Sequence, residues 1–169
     1  MKILFFDYST SLVDLEELET KPRRGCLNSL LRVPDVLSQL NNEVFVLSDI
    51  KKSGKTKAGT NWVVPEDWIL KTRWDFLILN RGIGDGYPQF NAKRRILWIH
   101  DLPHNGFAVD PENFKAFSAV IFMSEYAEDV WKTFFPQINL GIIIPNGVDK
   151  SLFYPREKNL DCLIYASHP

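Results

Sequence analysis

The chain has 169 residues, of which 45% are hydrophobic and 24% charged, and its formal net charge is −1. That length suits one domain with a full core, and the composition is ordinary for a soluble globular protein. The near-neutral balance supplies no overall basic field for nucleic acid, and no apolar run approaches the ~20 residues of a membrane span.

Aromatic residues make up 13% of the chain and cluster around residues 62–74 and 131–135. Such clusters suit either a large core or an exposed apolar face that meets a partner. Cys26 and Cys162 lie far apart with no paired spacing, which fits a reducing compartment. A cytoplasmic location is expected, with peripheral contact at the inner membrane face left open.

In chain order, "MKILFFDYST" has one lysine and a short apolar run cut off by Asp7. It reads as a buried strand over 2–6, not a signal peptide. "LVDLEELET" suits a short helix. Leu27, Leu30, Leu31, Val36, Leu37 and Leu40 recur near a 3.6 period, predicting a helix over 26–40 that Pro34 would kink or split. "EVFVLS" reads as the second strand, and residues 51–60 as a mobile polar loop. A short helix is expected over 66–72, with Pro65 near its first position. "DFLILN" and "RILWIH" are the third and fourth strands. A short helix over 111–117, the strand "AVIFMS", an amphipathic helix over 125–135 ended by Pro136, and a sixth strand, "GIIIP", complete the series.

Short apolar strands separated by helices predict an α/β domain: a Rossmann-like, doubly wound, mainly parallel sheet with helices on both faces. Such sheets bind ligands outside the carboxyl ends of their strands, where the strand order reverses. The candidate segments are therefore 7–11, 49–52, 80–86, 100–105, 124–126 and 146–149.

Two glycine-bearing stretches imitate phosphate loops. "DIKKSGKT" has Asp49 where a P-loop needs glycine, and no good helix follows Thr56, so a solvated loop is favoured. "RGIGDGYP" runs into Tyr87 and Pro88, so no helix opens to aim its amides at a pyrophosphate. Arg81 at its start suits an anionic group or a surface salt bridge equally. "PRRGC" is better placed for an anion, because Gly25 lets backbone approach and the helix from Cys26 offers free N–H groups. Arg24 adds charge suited to phosphate or sulfate.

"WIHDLPHN" gathers His100, Asp101 and His104 at the fourth strand's end. Pro103 forbids a regular helix between the histidines, so a metal site is not expected. Hydrogen bonding to a polar substrate is the favoured reading of His100, against a satisfied structural histidine. Asp101 and His104 rank below it.

"IIIPNGVDKSLFYP" resembles the interdomain linker of retaining glycosyltransferases with the GT-B fold, specifically family 4. Pro145, Asn146, Gly147, Val148, Asp149, Phe153 and Pro155 carry the match. "LIYASHP" resembles the first strand of that family's C-terminal domain, and "VIFMSEYAEDVW" the strand, serine and helix before the linker. The resemblance implies an acceptor-side domain over 1–155, with 156–169 as linker and first strand of a missing C-terminal domain.

It further implies sugar transfer with retention, as in polysaccharide biosynthesis, from a nucleotide sugar (UDP- or GDP-linked) to a glycan, lipid-linked or small-molecule acceptor. No metal and no further cofactor are implied. By resemblance Gly25 approaches the donor phosphates, although the family's two adjacent glycines are here Arg24 and Gly25. His100 matches an active-site histidine and Ser124 the serine after the fifth strand. With one domain absent, the chain alone is expected to be inactive, and its uncovered face offers a route to a dimer. The alternative is a non-catalytic Rossmann-like or flavodoxin-like binding or regulatory module.

Overall fold

The run KILFFD forms β1 (Lys2–Asp7), whose inward residues Ile3, Leu4 and Phe5 have almost no exposed surface. In a computed structural model that describes residues 1–7, 14–20, 25–81, 90–103 and 111–147, β1 lies within the sheet rather than at its edge. The remaining strands are β2 (Glu43–Ser48), β3 (Gly54–Lys55), β4 (Asn61–Val63), β5 (Trp74–Asn80), β6 (Ala92–Trp98), β7 (Ala119–Phe122) and β8 (Gly141–Ile143). The sheet order is β3-β4-β2-β1-β5-β6-β7-β8. Every pairing is parallel except β3 with β4. From β1 the chain builds outward through β2 to β4, then returns and builds the other way through β5 to β8. The order therefore reverses at the boundary between β1 and β5.

The helices are α1 (Leu15–Thr20), α2 (Gly25–Gln39), α3 (Asp67–Lys71) and α4 (Glu125–Phe134), with a 3-10 helix at Pro111–Ala116. They cover both faces of the sheet. Leu30 and Leu31 of α2 pack with Ile3, Phe5, Val44, Val46 and Trp98. Ile69 of α3, Phe114 of the 3-10 helix and Trp131 of α4 pack with Leu4, Leu77, Leu79 and Leu97 on the opposite face. Alternate residues of β1 thus feed two separate apolar layers, as period-two side chains require. The chain is a doubly wound α/β domain of Rossmann-like type.

Three details depart from the sequence expectations. α2 runs through Pro34 as one helix of 15 residues. The missing proline N–H deprives the Leu30 carbonyl of its usual partner, and burial of Leu30 and Leu31 against the sheet holds the turn in place. Residues 51–60 are not a solvated loop throughout. They contain β3 and a tight turn in which the Thr56 N–H donates to the Thr60 carbonyl at 2.9 Å. Both threonines are buried, and their hydroxyls donate to Asp35 Oδ1 on α2 at 2.6 and 2.7 Å. Among the described residues the sheet also has eight strands, two more than the apolar runs suggest. The aromatic clusters mostly enter the core: Trp62, Trp74 and Trp131 are fully buried, while Trp68 and Phe134 keep exposed surface.

Candidate functional site at the reversal of strand order

Asp7 ends β1 and Asn80 ends β5, so the two strands at the reversal each finish on a polar residue after an apolar run. Both side chains are about 1% exposed. Burying an amide without a partner costs on the order of 1–3 kcal/mol, so Asn80 needs one. It finds His100, whose Nε2 lies 2.9 Å from Asn80 Oδ1. His100 sits two residues beyond β6, held there by the Ile99 N–H donating to the Ile121 carbonyl at 2.9 Å. The Trp98 ring packs against the imidazole, with centroids 4.6 Å apart. Burial lowers the pKa of His100 below its ordinary 6.5, with Arg81 acting in the same direction and Asp101 and Asp7 opposing.

Arg81 follows Asn80 and turns the chain with φ of 71°, in the left-handed region that most side chains avoid. Its N–H donates to the Trp98 carbonyl at 2.8 Å, which tethers the end of β5 to that of β6. The guanidinium donates twice to Asp101 Oδ2, from Nε at 2.9 Å and Nη2 at 2.7 Å. Burial disfavours the charge on Arg81, but the Asp101 hydrogen bond, with Cys26 and Asp7 nearby, raises its pKa overall. Trp131 Nε1 donates to the Asp101 carbonyl at 2.8 Å, so α4 anchors the loop that carries the site.

His100, Arg81 and Asp101 therefore come together, as their positions after the strands predict. Gly25 opens α2. Ser124 lies elsewhere and caps α4: its Oγ accepts the Ala127 N–H at 3.2 Å. Asn146 accepts a hydrogen bond from Ser29 Oγ at 3.3 Å, which joins the segment after β8 to α2. Arg24 and His104 lie outside the described residues, as does most of "RGIGDGYP". The P-loop imitation is resolved by Gly54 and Lys55 forming a strand and Thr56 spending its hydroxyl on Asp35.

Asn80 opens the candidate segment 80–86, though the motifs in that segment point to Arg81 instead. The signal at Asn80 was a polar residue closing an otherwise apolar strand at the reversal point. Among the described residues there is no group of three or more His, Cys, Asp or Glu side chains suited to a metal ion. No described helix is long and apolar enough to cross a membrane.

Chemically, the arrangement offers a half-buried imidazole biased toward its neutral form, beside an ion pair whose charges largely cancel. That combination suits hydrogen bonding to a polar, uncharged group better than capture of a strong anion. Comparison of the chain with family models, with curated proteins and with solved structures gave no match.

Proposed function

We propose that this chain is the acceptor-side, Rossmann-like half of a retaining glycosyltransferase. It would pass a sugar from a UDP- or GDP-linked donor to a glycan, lipid or small-molecule acceptor. The observation that carries the reading is His100, a half-buried imidazole at the carboxyl edge where the strand order reverses. The resemblance of residues 142–155 to a GT-B linker supplies the reaction class. In this reading His100 meets a sugar hydroxyl. Arg81 has N–H groups beyond the two engaged by Asp101, and in this reading they would donate to a phosphate or hydroxyl oxygen.

Stabilising a departing diphosphate needs groups on both sides of a cleft. The residues named here supply one side, so the 169-residue chain is expected to bind without turnover. The work would take place in the cytoplasm, with lipid-linked acceptors met at the membrane surface. The test is titration of the chain with UDP- and GDP-hexoses and simple glycosides, alongside transfer and hydrolysis assays. Saturable sugar binding that His100→Gln weakens supports the reading. Robust turnover by this chain alone, or no binding of any of these, overturns it.

A non-catalytic binding module is favoured by one feature, the mutual neutralisation of Arg81 and Asp101. Sugar binding that still gives no transfer after a donor-binding domain is supplied would select that reading.

A further inference from the structure

We infer that Asn80 is the positioning residue of His100, fixing its imidazole as the Nε2–H tautomer and leaving Nδ1 as a hydrogen-bond acceptor for a ligand hydroxyl. The ligand part of this inference rests on the sugar-binding reading of His100, whereas the tautomer part does not.

The argument starts from Asn80. Its side chain closes β5, a strand otherwise built to fill the core, and it is about 1% exposed. The atom it turns to the imidazole is Oδ1, 2.9 Å from Nε2. An amide oxygen has lone pairs and no hydrogen, so Nε2 must bring the proton. A neutral imidazole has one N–H. Once that hydrogen sits on Nε2, Nδ1 holds a lone pair in the ring plane. Among the described residues Nδ1 has no hydrogen-bond partner.

Two features keep this arrangement in place. Burial favours the neutral ring, although Asp101 and Asp7 act against it and Arg81 acts with it. The Trp98 ring, tilted 45° to the imidazole with centroids 4.6 Å apart, restricts reorientation from one side. Asn80 and His100 also sit at the tips of adjacent parallel strands paired from Trp74 to Asn80, so backbone register sets their separation.

The chemical class of ligand follows. A lone pair on Nδ1 accepts from O–H or N–H and offers nothing to a fully ionised phosphate or carboxylate. The site so oriented selects a polyol or sugar hydroxyl. A deoxy analogue lacking that hydroxyl would shield Nδ1 from water and leave it unsatisfied, which penalises the analogue more than lost contact area would.

The experiment is a long-range proton–nitrogen correlation spectrum of the ¹⁵N-labelled full chain at mildly alkaline pH. His100 is assigned by its disappearance in His100→Gln. The expected wild-type spectrum shows the Nε2–H tautomer. Asn80→Asp keeps an acceptor at the same place, so it is expected to retain that tautomer and move the His100 titration upward. Asn80→Leu, of similar size, is expected to give a mixture of tautomers. A wild-type Nδ1–H tautomer overturns the inference, as does an Asn80→Leu spectrum identical to wild type. Should Asn80→Leu fail to fold, the wild-type and Asn80→Asp spectra decide. The expected tautomer without sugar binding would overturn the proposed function and leave the role of Asn80 standing.

Discussion

Trp131 Nε1, on α4, donates to the backbone carbonyl of Asp101 at 2.8 Å, and so one buried indole holds the loop that carries His100 and Asp101. Trp62 is equally buried, yet its indole N–H has no hydrogen-bond partner among the described residues. The two tryptophans separate packing from hydrogen bonding. Trp131→Phe and Trp62→Phe lose similar volume, but only the first gives up a hydrogen bond, to a partly buried carbonyl. We expect Trp131→Phe to cost about 1 kcal/mol more than Trp62→Phe, measured as urea midpoints at constant slope. It should also shift the His100 ring resonances, which Trp62→Phe should leave in place.

The lowered pKa of His100 sets a pH dependence of stability. Below the unfolded value of 6.5, an unfolded chain takes up a proton that the native imidazole resists. Folding stability should therefore fall as pH drops from 6.5 toward the lowered native value, and rise in the opposite direction. The urea midpoint is expected to fall between about pH 7.5 and about pH 5.5 by more in wild type than in His100→Gln. Equal losses in the two proteins would refute a depressed native pKa.

Asp35 ties α2 to the turn before β4. Its Oδ1 accepts from Thr56 and Thr60, and Thr60 Oγ1 also lies 3.0 Å from Ser38 Oγ. Asp35→Ala removes the acceptor of two buried hydroxyls and should cost about 2–3 kcal/mol. Replacing both threonines by valine in that background should recover part of the loss, since neither threonine hydroxyl is then stranded, although the Thr60 N–H and Ser38 Oγ each lose a partner. Thermal or urea denaturation of the three proteins checks both steps.

Arg81 holds a left-handed backbone that its β-carbon resists. Arg81→Ala loses the ion pair and keeps the backbone strain, whereas Arg81→Gly loses both. The glycine variant is therefore expected to be more stable than the alanine variant by about 1 kcal/mol. The ion pair itself has both side chains about a third or more exposed, so Asp101→Asn should cost under about 1 kcal/mol. An alanine variant as stable as the glycine variant would contradict the strain argument.

The parallel core was legible because its strands are apolar runs. KILFFD, EVFVLS and AVIF need no context to be recognised as buried strands, and the helix from Cys26 announces itself by Leu27, Leu30 and Leu31. The β3–β4 hairpin was not legible. Its strands have two and three residues, and its order comes from a carboxylate on α2, far away in sequence. Pro34 was a true local signal that tertiary packing overrode.

At the candidate site, position after a strand was enough to place His100, Arg81 and Asp101 at one edge of the sheet. Sequence could not say that Arg81 and Asp101 would meet each other, because that depends on how β5 and β6 line up. Nor could it separate the cap Ser124 from a ligand contact, since a serine before a helix serves either role.

The place of β1 within the sheet has a consequence for biosynthesis. It leaves the ribosome before both of its neighbours in the sheet, and one of its edges is covered when β2 follows. Its other edge pairs Ile3 with Phe76 and Phe6 with Leu79, roughly seventy residues later. At about 5–20 residues per second, that edge waits some 4–14 s for its partner. During that interval an Ile-Leu-Phe-Phe segment is open to other chains, and chaperone supply rather than final stability would set the yield of folded protein.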